Sequence, residues 1–179
     1  LQSSAEPRWV SPLAKMAGIW TSTCNPMHIE WAWITSGTSE WQSRAMKNAL
    51  KSAWITVEQF LQEWWIVFAH GTSTQAWDII EATSINSVFW PNVTVTAPKW
   101  VLWHSLWGSA AQSISIWISS FINDIVPGTL NYSDDNRMEW LPDLNILSEN
   151  KKWQVKYILI NAFWFGWHNV CTLIENPKA

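Results

Sequence analysis

Cysteine and basic charge are both scarce in this chain of 179 residues. The two cysteines, Cys24 and Cys171, have no metal-binding spacing and form no evident disulfide framework, so a reduced, cytoplasmic setting is expected. Eleven lysines and arginines against 14 acidic residues give a net charge of −3. No basic stripe is therefore available to neutralise phosphates, and we expect no nucleic-acid partner.

Long hydrophobic runs are also missing. The longest apolar stretch, residues 157–167, contains Asn161 and is too short to span a bilayer, and no signal segment opens the chain. We therefore expect no membrane association. Residues 1–13 have two prolines and no periodicity, which predicts a linker or the end of a missing N-terminal half, and residues 14–179 are long enough for one domain.

Glycine is the fourth shortage, and tryptophan is unusually abundant. The chain has 6 glycines and 18 tryptophans, whereas glycine usually makes up about 7% of residues. Several tryptophans lie in polar turns or just after predicted helices, as Trp54 does. At such positions the backbone often takes a positive φ, which glycine adopts without strain.

Apolar periodicity predicts alternating strands and helices. We expect strands over residues 15–24, 65–69 and 92–97, helices over 39–53, 75–88 and 104–124, and a short helical turn over 57–63. A polar excursion over 129–152 then precedes two antiparallel strands, 154–161 and 168–174. The order βαβαβα followed by ββ predicts an α/β fold with a mixed sheet and helices on its faces.

The helix over 104–124 is predicted to be the buried central helix. Its apolar stripe consists of Ala111, Ile114, Ile118, Phe121 and Ile125, a pattern more typical of core than of a cofactor site. The acidic residues of the polar excursion lack the ligand spacing of a calcium loop, so we predict no metal site.

Residues 68–81 carry the first group of reactive side chains. The buried strand ends at His70, a hydroxyl-rich turn follows, and the next helix carries Asp78 and Glu81. Such strand-to-helix turns are where α/β folds place their chemistry. The alternative is an ordinary helix start, in which Ser73 or Thr74 caps the helix and His70 is a structural loop residue.

Two further stretches favour the functional alternative. HGTST with Glu81 eleven positions after His70 is followed by K-x4-H-x-L-x-G at residues 99–108 and by N-x-F-x-F-G-x-H-N at 161–169. In this order and spacing the chain resembles the C-terminal half of a β-ketoacyl-acyl carrier protein synthase. The resemblance implies a thiolase-like fold and decarboxylative condensation of acyl thioesters with malonyl thioesters in fatty acid or polyketide synthesis.

The resemblance also implies catalytic roles. His70 and His104 correspond to the family's active-site histidines, which donate hydrogen bonds to a developing oxyanion. Lys99 and Glu81 correspond to a buried lysine and glutamate that orient the histidines electrostatically. An acid is expected near Lys99, because a buried ammonium group without a partner is costly.

Other residues correspond to the substrate-binding parts of the family. Thr72 and Thr74 match hydroxyls that hold the pantetheine arm, and Phe163 and Phe165 match a gating turn. No cofactor is expected, because phosphopantetheine arrives on the partner, acyl carrier protein. The family's nucleophilic cysteine lies in its N-terminal half, and neither Cys24 nor Cys171 matches it.

The chain by itself is therefore predicted not to condense anything. A missing N-terminal half or partner subunit would supply the nucleophile, and the assembled enzyme is expected to be a dimer. One alternative is a non-condensing family member, such as a chain-length partner or a malonyl-thioester decarboxylase. Another is a binding module that uses exposed tryptophans as a platform for sugars or peptides.

Seven tryptophans occupy positions that the resembled family usually gives to glycine. They are Trp41, Trp54, Trp90, Trp103, Trp107, Trp164 and Trp167. Our hypothesis is that most are glycines misread in translation, because some bacterial lineages read the codon UGA as glycine and another genetic code reads it as tryptophan. Indoles beside His104 and in the gating turn are expected to overpack the site.

Overall fold

The computed structural model describes residues 15–23, 37–62, 65–89, 93–105, 108–163 and 168–179. The helices are α1 (Gly37–Ser52), α2 (Val57–Gln62), α3 (Gln75–Phe89), α4 (Lys99–Leu102) and α5 (Ser109–Asn123). The strands are β1 (Lys15–Thr23), β2 (Trp65–Phe68), β3 (Thr94–Thr96), β4 (Ile125–Val126), β5 (Asn145–Ile146), β6 (Lys151–Lys152), β7 (Tyr157–Phe163) and β8 (His168–Glu175). The predicted linker at 1–13 lies outside these ranges.

The main sheet is mixed, as the sequence predicts. Its six strands are ordered β1-β8-β7-β2-β3-β5. Strand β2 pairs in parallel with both β3 and β7, and β3 pairs in parallel with β5. Strand β8 runs antiparallel to β7 and β1. The parallel strands place the loops after β2 and β3 at one edge, where the first two histidine motifs begin.

Strand β2 has buried side chains on both of its faces, which explains its unbroken apolar run. Val67 joins a core formed with α1, α2 and α3, which contains Met46, Leu50, Phe60 and Phe89. Ile66 and Phe68 point to the other face and join a second core with Trp117 and Phe121 of α5. The helices on the two faces therefore fix the position of the strand that ends at His70.

The predicted helix over 104–124 is wrong at its start. Helix α4 covers Lys99–Leu102, and α5 begins only at Ser109, so His104 lies in the connection between them. Trp103 has φ 61°, which ends α4 immediately before His104. This connection allows His104 to approach the loop after β2.

The predicted buried stripe of that helix is only partly right. Phe121 is buried as predicted, but Ile114 and Ile118 are half-buried and Ala111 and Ile125 are exposed. The buried face of α5 also contains Ser113 and Trp117, which the stripe did not include. Trp117 is fully buried and packs edge-on against Phe68, with ring centroids 5.2 Å apart. The large indole sets the rotation of the helix, because burying it removes more apolar area from water than burying an alanine would.

The remaining predicted elements agree with the structure to within a few residues. Helices α1 and α3 are confirmed, although the predicted core residue Ile79 of α3 is only half-buried. Strand β7 begins three residues later than predicted, and the short strand β5 within the polar excursion was not predicted. Among the described helices, none combines the length and apolarity needed to cross a membrane.

Candidate active site

The loop after β2 depends on a glycine at position 71. Gly71 has φ 45°, in the left-handed region, and a Cβ atom added there would lie 2.8 Å from the Cβ of Ala97. Backbone conformation and close packing both exclude a larger residue. The loop can therefore turn directly after His70 and carry the hydroxyl-rich segment toward α3.

Glu81 of α3 holds this loop from beneath. Its carboxylate accepts hydrogen bonds from the backbone N–H groups of His70 and Gly71, at 2.7 and 2.8 Å. A third bond comes from the side-chain amide of Asn161 on β7, at 3.0 Å. Burial raises the pKa of Glu81, while these three donors and the charge of Lys99 act in the opposite direction. The carboxylate therefore fixes the backbone from which the His70 ring projects.

Asp78, one helical turn before Glu81, supports the next part of the loop. It accepts hydrogen bonds from the backbone of Ser73 and Thr72, and the hydroxyl of Thr72 lies 3.5 Å from its Oδ1. Burial and the neighbouring charge of Glu81 raise the pKa of Asp78 to about 6. Both acids also line a mostly apolar cavity of about 550 Å³, which neither His70 nor His104 lines.

Lys99 at the start of α4 contacts the His70 ring. Its Nζ lies 2.6 Å from Nδ1 of His70 and also donates to the His70 carbonyl. Burial, the charge of Lys99 and His104 lower the pKa of His70 to about 2, so the imidazole is neutral near pH 7. Burial lowers the pKa of Lys99 to about 8, and an ammonium group still predominates near pH 7.

The acid expected beside Lys99 is present, but no ion pair joins Lys99 and Glu81 in the described residues. The two side chains interact through their charges, since each carries a Coulombic contribution to the pKa of the other. Lys99 hydrogen-bonds directly to the ring and the carbonyl of His70. Glu81 instead accepts hydrogen bonds from backbone N–H groups and from the side-chain amide of Asn161. The predicted orienting pair therefore holds His70 from two sides.

The rings of His70 and His104 lie edge to face, with centroids 5.3 Å apart and an interplanar angle of 86°. His104 is half-buried, and burial together with the charge of Lys99 lowers its pKa. Phe163, at the end of β7, packs beside them with its ring centroid 6.0 Å from that of His70. Two imidazoles that favour the neutral form thus meet beside an aromatic side chain.

The structure brings most of the predicted site residues into one region. His70, His104, Lys99, Glu81 and Phe163 form the connected group, and Thr72 and Thr74 lie at its outer side with their hydroxyl oxygens 2.9 Å apart. Phe165 lies outside the described residues. A neutral imidazole offers one N–H donor, and two convergent donors suit an oxyanion.

Sequence reasoning assigned no role to Asn161 or Asp78, although both contact the site. Asn161 bridges Glu81 and the thiol of Cys171, which donates to its Oδ1 at 3.2 Å. The i, i+3 spacing of Asp78 and Glu81 was an available signal, because such residues share one face of a helix. A long-range contact such as Asn161 with Glu81 has no comparable local signal.

Two of the seven suspect tryptophans adopt a glycine-like backbone. Trp54 and Trp103 have φ 59° and 61°, and their side chains are 93% and 84% exposed. The predicted overpacking at Trp103 is therefore wrong, because its indole lies in solvent and the cost is in the backbone. Trp41 lies within α1, and the other four positions lie outside the described residues.

Comparisons with known proteins identify clear relatives. Residues 23–133 match the family described as Beta-ketoacyl synthase, C-terminal domain. The 3-oxoacyl-(acyl-carrier-protein) synthase 2 of Synechocystis is 28% identical over 173 residues, which cover 93% of this chain and 38% of the relative. The Mycobacterium bovis protein of the same name is 32% identical over 106 residues, covering 58% of this chain and 25% of its own length.

Solved structures give the same result for the fold. A β-ketoacyl synthase from Burkholderia phymatum superposes with a TM-score of 0.77 and 22% identity, over 92% of this chain and 38% of its own. A ketosynthase in complex with its chain length factor from Xenorhabdus doucetiae gives a TM-score of 0.76 at 20% identity, over 92% and 39%. These likenesses confirm the predicted thiolase-like α/β fold. The chain spans only a quarter to two fifths of these relatives.

Proposed function

The chain belongs to the β-ketoacyl synthase family through its C-terminal domain, and from this we propose that it is the C-terminal half of an enzyme that condenses acyl and malonyl thioesters. The observation that supports this most directly is the His70–His104 pair, with the ammonium group of Lys99 at Nδ1 of His70. This arrangement leaves imidazole N–H groups to face a substrate oxygen.

The proposed reaction has two steps that a pair of donors would assist. Loss of CO₂ from the malonyl thioester leaves its electron pair as an enolate, whose negative charge rests on the thioester oxygen. The enolate carbon then attacks the acyl group carried on a cysteine, forming a carbon–carbon bond and releasing the thiolate. Donors that are already oriented toward the oxygen lower the barrier, typically by about 3–4 kcal/mol for a single donor.

His70 is suited to this role because Lys99 determines where its proton lies. An ammonium group is a donor only, so Nδ1 of His70 acts as the acceptor of the contact and the ring proton lies on Nε2. We assign the second donor to His104. Lys99 and Glu81 are positioning residues, since they hold the ring and backbone of His70.

Substrate delivery uses the outer side of the site. We propose that Thr72 and Thr74 hold the phosphopantetheine arm of acyl carrier protein, and that Phe163 and Phe165 form the gate. The nucleophilic cysteine would come from an N-terminal half or a partner subunit, within a dimer. A non-condensing decarboxylase would need the same histidines, and the residue at the nucleophile position separates the two.

The test uses the complete reading frame that encodes this chain, assayed with acyl- and malonyl-acyl carrier protein. We expect His70→Ala and His104→Ala each to abolish malonyl decarboxylation while acyl transfer to the cysteine continues. Condensation at the normal rate by either variant would refute the assignment. Decarboxylation without condensation by the unaltered protein would favour the alternative. The purified 179-residue chain alone is expected to release no β-ketoacyl product.

A further inference from the structure

The buried hydroxyl group of Ser109 lies beside Nδ1 of the second histidine, His104. Oγ of Ser109 lies 3.4 Å from Nδ1 of His104 and at the same distance from Oγ of Ser105. Ser109 is the first residue of α5 and only 4% exposed, so bulk water does not compete freely for its hydroxyl. Catalytic hydrogen bonds are often this long in substrate-free sites and shorten when substrate binds.

The hydroxyl of Ser105 already donates its proton to another residue. It donates to Oε1 of Gln112, one turn into α5, at 2.6 Å. A hydroxyl has one proton, so Ser105 can act toward Ser109 only as an acceptor. The hydroxyl of Ser109 can therefore donate to either of two acceptors at equal distance, Oγ of Ser105 or Nδ1 of His104.

The imidazole nitrogen is the stronger acceptor of the two, because it is a base near neutral pH and a hydroxyl oxygen is not. We propose that Ser109 is a positioning residue for His104, donating to Nδ1 and so keeping the ring proton on Nε2. Ser109 would do for His104 what Lys99 does for His70. Both rings would then present Nε2–H to the same substrate oxygen.

The consequence for catalysis rests on the proposed function, but the hydrogen bond does not. Other groups also act on the His104 ring. Burial and the charge of Lys99 favour its neutral form, while a hydrogen bond to its own backbone favours the charged form and competes with Ser109 for the ring. If the ring instead donated from Nδ1, Nε2 would carry no proton and could not act as a donor.

The tautomer is measured directly by ¹⁵N NMR of the histidine side chains in the 179-residue chain, at a pH where His104 is neutral. We expect the wild-type ring to show Nε2–H with an acceptor Nδ1. Ser109→Ala should give a mixture of tautomers and raise the pKa of His104, because the neutral form loses its hydrogen bond. Ser109→Thr keeps the hydroxyl and should restore both properties.

Ser113→Ala is the matched control. Ser113 is also buried in α5, but its hydroxyl donates to the carbonyl of Ser109 at 2.9 Å and not to His104. This variant should leave the His104 spectrum unchanged. An Nδ1–H tautomer in the wild-type chain would overturn the proposal even if Ser109→Ala failed to fold, and so would equal effects of the two alanine variants. Because no activity is measured, this failure is distinct from failure of the proposed function.

Discussion

Nζ of Lys99 lies 2.6 Å from Nδ1 of His70, and this contact determines what the imidazole can do. The ammonium group fills the acceptor position of the ring, and its positive charge opposes protonation of His70. The remaining nitrogen, Nε2, carries the proton and is available as a donor. In the mechanism we propose, a buried lysine that does not react thus orients a histidine that donates to the substrate.

Lys99→Met tests whether Lys99 orients His70 through its charge or only fills buried space. The substitution keeps most of the apolar stem and removes the charge, so we expect the pKa of His70 to rise. Malonyl decarboxylation by the complete enzyme should fall, but by less than the ~10²–10³-fold that loss of a whole oxyanion donor costs. Release of CO₂ and acyl transfer to the cysteine are measured side by side. Lys47→Met, on the exposed face of α1, is the control. Equal rates for the two variants would contradict the role of Lys99.

His70 should also make stability depend on pH. Its pKa is about 2 in the folded chain and 6.5 when unperturbed, so below pH 6.5 the unfolded chain binds a proton that the folded chain does not. The free energy of unfolding should therefore fall by about 2 kcal/mol between pH 6.5 and 5 on account of this residue. Urea unfolding of wild type and His70→Asn at both pH values should show a smaller fall in the variant.

Asp78 should act in the opposite direction over nearly the same range. Its pKa is raised from 3.8 to about 6, so the folded chain keeps a proton that the unfolded chain releases, and stability rises as the pH falls from 6 toward 4. In the urea experiment, Asp78→Asn should therefore show a steeper loss on acidification than wild type. A slope unchanged in both variants would mean that neither group is perturbed as the structure indicates.

Glu81→Gln should destabilise the chain although it leaves the size of the side chain almost unchanged. Oε1 and Oε2 each accept a backbone N–H, so an amide would place an NH₂ group against a donor. Leaving a buried N–H without an acceptor costs about 1–3 kcal/mol. We expect the free energy of unfolding, measured in urea near pH 7, to fall by this amount. Glu139→Gln, at an exposed position outside the helices and strands, is the control and should change stability by less than about 0.5 kcal/mol.

Periodicity and turn chemistry predicted most of the fold because they are local. The apolar run of β2 and the helical spacing of α1 and α3 could be recognised from neighbouring residues alone. The break before α5 could not, because it depends on a single positive φ at Trp103 in a segment that otherwise has a helical pattern. The rotation of α5 depends on where Trp117 fits against Phe68, which is a tertiary contact.

In the candidate active site, too, local motifs identify some residues, while tertiary contacts could not be predicted. His70, Glu81, Lys99 and His104 could be found from ordered motifs, whereas the contact that Asn161 makes with Glu81 could not. Asn161 reaches Glu81 across 80 residues, and only the pairing of β7 beside β2 brings them together. Ser109 was not recognised because the sequence placed it inside the predicted helix over 104–124, and α5 in fact begins at this residue. Its neighbour His104 gives it another use.

The tryptophan hypothesis can now be tested position by position. Trp54 and Trp103 have a positive φ and exposed indoles, so replacing either with glycine removes backbone strain of about 1–3 kcal/mol and loses little packing. The greater freedom of glycine in the unfolded chain offsets part of this gain. We expect each variant to be more stable by about 0.5–1 kcal/mol in urea unfolding.

Trp41→Gly is the matched control, because Trp41 lies inside α1 and its ring packs 3.8 Å beneath the guanidinium of Arg44. Glycine in a helix interior costs about 1 kcal/mol, so this variant should be less stable than wild type. Sequencing the gene gives the independent answer: UGA codons at 54 and 103 would support misread glycines, and UGG codons there would refute them. Strain at these positions with UGG codons would instead mean that the protein tolerates genuine tryptophans in a backbone conformation suited to glycine.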